Sequence, residues 1–179
     1  MEANLRYPVG KFERPEHLTG DERRVLIDSI AEAPARLAIA VVDLNPTQLD
    51  TPYRPGGWTV RQVVHHLADS HMNAYIRCKL ALTEDDPTIK TYEEALWAEL
   101  ADSKAPLDAS LPLIENLHAR WVLLLRSLSR TDWERRFRHP NLGTMTVGQN
   151  LAHYEWHGRH HIAHITSLRE RREWNEQSC

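Results

Sequence analysis

The sequence predicts an all-α protein, a bundle of four long helices with short additional helices. Three observations carry this reading. Apolar residues recur at spacings of three and four in four long stretches. Capping signals, Thr59 with Gln62 and Thr146 with Gln149, stand where two of those stretches begin. Period-two alternation, which a half-buried strand requires, is weak throughout. The 179 residues fit one domain, 1–179, better than two, and a composition of 41% apolar and 26% charged residues is that of a globular chain.

Residues 1–20 read as an irregular lead-in punctuated by Pro8, Gly10, Pro15 and Gly20. The first long helix is expected near Asp21, with Val25, Leu26, Ile30, Leu37, Ile39 and Val41 on its apolar stripe. Pro34 lies inside it, removes a backbone donor, and predicts a kink or break. Residues 45–57 hold Pro46, Pro52, Pro55, Gly56 and Gly57 and read as a loop. The second long helix opens at Thr59 and carries Val60, Val63, Val64, Leu67, Ala74, Tyr75, Cys78 and Leu82 until Asp85, Asp86 and Pro87 close it. A shorter helix is expected from Thr91, with Glu94 three residues on, through Leu96, Trp97 and Leu100.

Residues 111–128 predict the third long helix, with Leu113, Leu117, Trp121, Leu124, Leu125 and Leu128 on one side. Thr131 and Glu134 suggest one more helical turn or two. Residues 138–146, with His139-Pro140 and Gly143, read as a loop or small hairpin. The last helix is capped by Thr146 and Gln149 and runs to about Arg172. Helices joined by short connections suggest an up-and-down or crossed bundle. The two capping boxes also echo each other, since each is followed at the same interval by a histidine, His66 and His153.

Several functions are disfavoured by composition. The net charge is -3 and the basic residues are scattered, apart from a small basic end at Arg169, Arg171 and Arg172, so nucleic acid is not an expected partner. Apolar runs such as Leu37 to Val42 fall far short of the roughly 20 residues of a membrane span. Residues 1–10 lack the pattern of a secretory leader, and two cysteines, Cys78 and Cys179, cannot build a disulfide framework; a cytoplasmic protein is expected. With 7 glycines there is no phosphate-cradling or dinucleotide-binding loop.

Histidine is the unusual residue. There are 11, and eight fall in two windows: His65, His66 and His71 in the second long helix, and His153, His157, His160, His161 and His164 in the last. Neutral imidazole is a ligand for zinc, nickel, copper and iron, and residues four apart on a helix are neighbours. A pair from the last helix plus one imidazole from another helix would give a three-histidine site with an open position. At about 100° per residue, His157 and His161 turn toward the apolar flank of the last helix, whereas His160 and His164 turn toward its polar side. On the second helix His71 points into the apolar face, while His65 and His66 lie on opposite flanks. The wheel therefore favours His71 and leaves His66 open.

At these residues the chain resembles the YfiT group of the DinB superfamily. The stretch from Tyr53-Arg54-Pro55-Gly56-Gly57-Trp58-Thr59 through His65-His66-Leu67-Ala68-Asp69-Ser70-His71 carries the likeness, with Trp156-His157-Gly158-Arg159-His160-His161, Tyr7-Pro8-Val9-Gly10 and His118-Ala119-Arg120-Trp121. The resemblance implies a DinB-like four-helix bundle, one divalent metal per chain (zinc or nickel), and a homodimer. It places the metal ligands at His66, His157 and His161, which agrees with the wheel for the last two and overrules it for the first. His71 is then a candidate to touch a ligand imidazole or the substrate.

Such a site suits a metal-dependent hydrolase that activates water on a small-molecule substrate. A metal-dependent thiol S-transferase, activating a low-molecular-weight thiol, and a noncatalytic metal-binding or stress-associated module are the alternatives. The proton acceptor is not fixed by any motif, because Gly158 stands where a zincin helix carries glutamate. Asp69, three residues after His66, is the candidate base or partner of a ligand imidazole, and Glu155 is a second. Trp58, Trp121 and Trp156 read as core residues, and Tyr53, Arg54 and Tyr75 as residues of a pocket mouth.

Overall fold

The computed structural model describes residues 5–174; Cys179 lies outside them. Six helices and one hairpin follow in order: α1 (Gly20–Val41), α2 (Pro46–Leu49), α3 (Val60–Thr83), α4 (Glu94–Trp97), α5 (Leu111–Arg126), β1 (Arg136–His139), β2 (Gly143–Thr146) and α6 (Val147–Arg171). Short 3-10 turns at Ala101–Lys104, Leu107–Ala109 and Asp132–Glu134 fill the connections.

Capping boxes open three of the four long helices, α1, α3 and α6. Thr19, Thr59 and Thr146 each accept from the backbone amide three residues on, and Glu22, Gln62 and Gln149 each reach back to the cap amide. These boxes satisfy donors that every helix start leaves open. The expected helix at Thr91 is a single turn, Glu94–Trp97, whose cap Glu93 makes no side-chain bond. Residues 45–57 are not wholly a loop, because Asn45 and Gln48 form a capping box around α2. The loop-or-hairpin segment is a hairpin, with Arg136 opposite Thr146 and His139 opposite Gly143.

Of the kink or break expected at Pro34, the break does not occur. α1 runs unbroken through Pro34. Proline deprives the carbonyl four residues back, that of Ile30, of its helical donor, and His118 of α5 donates to that carbonyl from Nδ1 at 2.7 Å. The stripe of α1 also differs. Ile27, Ile30, Ala33, Pro34, Leu37, Ala40 and Val41 are buried, while Val25 and Ile39 are 68% and 69% exposed. Each stands two positions from a buried residue, about 200° around the helix. On α5 the buried residues are Ile114, His118, Trp121, Val122 and Leu125, and Leu113 is exposed.

Two apolar layers fill the bundle. One joins Ile27 and Ile30, Ala74 to Ala81, Trp121 to Leu125 and Val147 to Tyr154. The other joins Leu37 to Val41, Val60 to Leu67, Ile114 and Ile165 to Leu168. α1 and α6 pass from the first layer to the second, and α3 and α5 from the second to the first. Thus α1 lies parallel to its neighbour α6, and α3 parallel to α5, with antiparallel contacts between the pairs. A parallel pair cannot be joined by a tight turn, and the α3–α5 connection is accordingly long, residues 84–110. Between the two layers, each long helix brings one level of residues to the middle of the bundle. On α3 these are His66 and His71, on α5 His118, and on α6 His157 and His161.

Candidate metal centre

His66, His157 and His161 come together at that level. One ring nitrogen of each lies within 4.8 Å of the others, and the Nε2 atoms of His66 and His157 are 3.2 Å apart. Two nitrogens bound tetrahedrally to one zinc at 2.0–2.1 Å would stand about 3.3 Å apart, so the donor set fits a divalent cation. His66 and His161 are buried, and His157 keeps part of its surface open. Burial holds the His66 imidazole down at about 4. Burial, and then neighbouring imidazoles, hold His157 and His161 well below the ordinary histidine value. All three are therefore neutral near pH 7, the form that binds a metal.

His71, the choice of the helical wheel, is fully buried but sits behind the trio. Its Nε2 lies 3.2 Å from Nδ1 of His157, and its Nδ1 lies 2.8 Å from Nε2 of His118. The Ile30 carbonyl at the end of this chain can only accept, which fixes every proton in it. His118 donates from Nδ1, so its Nε2 accepts from Nδ1 of His71. His71 then accepts at Nε2 from Nδ1 of His157, leaving His157 with a bare lone pair on Nε2, facing His66. A peptide carbonyl freed by Pro34 thus sets the tautomer of a candidate ligand through two further imidazoles.

The remaining histidines divide by their partners. His65 bonds Ser110 Oγ at 2.7 Å and the Ala105 carbonyl at 3.0 Å, tying α3 to the approach to α5. His160 and His164 are buried rather than turned to the polar side as the wheel expected. Their Nε2 atoms are 3.0 Å apart, Trp156 stacks on His160, and Tyr53 stacks on His164. Tyr53, from outside the helix, covers part of that flank, which a single-helix wheel cannot represent.

Asp69 is not joined to the trio. Half-burial raises its carboxyl pKa, aided by Asp102 and opposed by His65, and among the described residues no hydrogen bond links its carboxylate to His66, His157 or His161. The partner of a candidate ligand is instead His71. Glu155 is buried and accepts from Ser29 Oγ at 2.8 Å and Arg159 Nε at 2.6 Å, a structural pair. Trp121 is core, as expected, but Trp58 lies with its ring centroid 4.5 Å from that of His66 and walls the centre. Tyr53 and Arg54 line a different surface cavity, with Arg171 and Arg172, and Tyr75 packs against the core. Of the small basic end, Arg169 and Arg171 bond the carbonyls of Ala40, Val42 and Tyr53 and so serve the fold.

A cavity of about 350 Å³ opens onto His157 and His161. Its walls include Ser70 and Arg77 of α3, Tyr92, Glu94, His139 and Leu142 of the hairpin, and His153 and Tyr154 of α6. Sequence reading missed Arg77, His118 and the hairpin's share in the cavity. For His118 a signal existed, since it is a lone histidine in the pattern that buries Trp121.

The bundle and its convergent imidazoles define the class: a helical protein built around a histidine centre able to hold a metal ion. The chain belongs to the DinB superfamily, whose family profile matches residues 29–165. It is 56% identical over 171 residues to proteins named "Putative metal-dependent hydrolase" from Oceanobacillus iheyensis and Bacillus cereus, covering 96% of this chain and 99% of each relative. The solved structure of YfiT from Bacillus subtilis matches with a TM-score of 0.93 at 50% identity, over 96% of this chain and 99% of that one. That protein is described as a probable metal-dependent hydrolase with an unusual four-helix bundle topology.

Proposed function

We propose that this protein is a metal-dependent hydrolase of a small molecule, with His66, His157 and His161 holding one divalent cation, zinc or nickel. The observation that supports it most is the meeting of three neutral imidazoles from two helices, two of which, His157 and His161, line a cavity. The names borne by the relatives point the same way. A cation held by three uncharged ligands keeps its full charge and supplies Lewis acidity, which acidifies water or polarises a carbonyl.

The chain's own residues do the rest. His71 and His118 hold the His157 ring in the tautomer and orientation that present its lone pair. Trp58 keeps bulk water from His66, so the imidazole stays unprotonated. The cavity admits a molecule to the partly open face of His157. Cys78 offers no competing nucleophile: it is buried in the core, and burial pushes its thiol up to about 11.

The test begins with metal analysis of untagged protein, which should give about one divalent ion per chain. His161→Ala should abolish uptake while helical circular dichroism persists. Loaded protein should then hydrolyse members of a panel of small amides and esters. Turnover confined to a thiol plus an electrophile would replace the hydrolase reading with thiol transfer, and metal uptake unchanged in His161→Ala would reject the centre itself.

A further inference from the structure

Arg77 is a buried cation that forms no ion pair among the described residues. Its side chain is on α3, three turns beyond His66, and the residue is 7% exposed. Nη1 donates to the Tyr154 hydroxyl at 3.0 Å, Nη2 reaches the Lys90 carbonyl at 3.5 Å, and Nε has no partner. A guanidinium carries five N–H donors, so most of its donor capacity is unused. No carboxylate among the described residues lies within ion-pair distance of it, although six other arginines of this chain have one. A buried charge left unpaired is strongly unfavourable, and a chain that retains one keeps it for something the protein itself does not supply.

The position says what that is. Arg77 lines the same cavity as His157 and His161. Tyr154 bridges the two: its hydroxyl accepts from Arg77, and its ring centroid is 5.5 Å from that of His157. The guanidinium thus stands about one tyrosine side chain from the candidate centre.

We propose that Arg77 anchors a carboxylate of the substrate, so that this cavity takes a small monoanion whose reacting end lies at the His66–His157–His161 centre. This inference rests on the metal reading above and adds the substrate class to it. A carboxylate suits a planar guanidinium, which can meet both oxygens at once. A monoanion fits better than a phosphate dianion because Arg77 is the one arginine or lysine among the described residues that line the cavity. Burial lowers the pKa of both His139 and His153, followed by Arg77 and Arg14 for the first and by His139, Arg14 and Arg77 for the second. Burial raises the pKa of the Glu94 carboxyl and the Arg77 charge lowers it in part, but no ion pair joins the two. The cavity's 350 Å³ limits the ligand to a small molecule.

The experiment uses cobalt(II)-loaded full-length protein and two probe series of increasing chain length: ω-mercapto carboxylates from mercaptoacetate to 4-mercaptobutyrate, and their neutral amides. The thiolate reports metal binding through its cobalt charge-transfer band, and the other end reaches toward Arg77. For at least one chain length the carboxylate should bind about tenfold or more tightly than its amide. Arg77→Gln should erase that preference and leave amide affinity unchanged, and Arg77→Lys, which keeps charge without the fork, should retain part of it. Equal affinities of carboxylates and amides at every length in the unsubstituted protein would overturn the assignment, and this comparison requires no variant to fold. A preference that survives Arg77→Gln would overturn it as well. Failure to bind cobalt would instead reject the metal centre, and the inference with it.

Discussion

His118 donates from Nδ1 to the Ile30 carbonyl at 2.7 Å, and that carbonyl is open because Pro34 has no amide hydrogen to offer it. The relationship anchors the row His118–His71–His157 and ends at a nitrogen of the candidate centre. His118→Phe keeps a ring in the space but leaves His71 Nδ1 without an acceptor and frees the His157 tautomer. Metal affinity should fall 10- to 100-fold, the usual cost of removing such support, as read by competition with a chelator. Helical circular dichroism should be retained. Unchanged affinity would show that the row packs without positioning.

Pro34 also marks the boundary of what the sequence discloses. A missing donor is visible in sequence, and so a kink or break was expected; which side chain would take the freed carbonyl depends on α5 crossing at Ile30, a tertiary fact. The long helices were legible because Thr59/Gln62 and Thr146/Gln149 are local signals. The meeting of His157 and His161 with an imidazole of α3 followed from spacing and, for His66, from resemblance. The exposure of Val25 and Ile39 was not legible from apolarity alone, since the stripe of α1 is set by which neighbours it meets. Arg77 was hidden for the opposite reason: an arginine in a helix reads as solvated until its surroundings are known.

Acid should destabilise the metal-free protein at pH values above the ordinary carboxylate range. Burial holds His66 and His153 at about 4 in the folded chain, and His160 and His164 at about 4 and about 3, against about 6.5 when unfolded. Between those values the unfolded chain binds more protons than the folded one, so stability falls as pH drops from about 6.5 toward 4. The unfolding free energy from urea titrations should decline through this window with a slope corresponding to uptake of more than one proton. A flat midpoint from pH 7 to 5 would mean that these rings are not buried neutral.

Trp58 should set the pH at which metal is released. Its ring covers His66, and burial is the cause that lowers that imidazole. Trp58→Ala admits water and lets the His66 pKa rise toward its ordinary value. Protons then compete with the cation at higher pH, so the midpoint of metal release on acidification should move upward. The shift is read by titrating zinc-loaded protein with a zinc indicator present. A midpoint that stays in place, or moves down, would remove Trp58 from this role.

The two threonine caps offer a test of the bundle independent of any metal. Thr59 starts α3 at the layer containing Val60, and Thr146 starts α6 at the layer containing Val147, so they stand at opposite ends of the fold. Replacing either by alanine deletes the acceptor for one amide of the first turn and should cost about 1 kcal/mol. In a chain of this size that lowers Tm by roughly 2–4 °C. Because the two share no partner, the double variant should lose about the sum, with the urea m-value unchanged. A loss well beyond the sum would mean that α3 and α6 start folding as one unit, coupled through the histidine level where they meet.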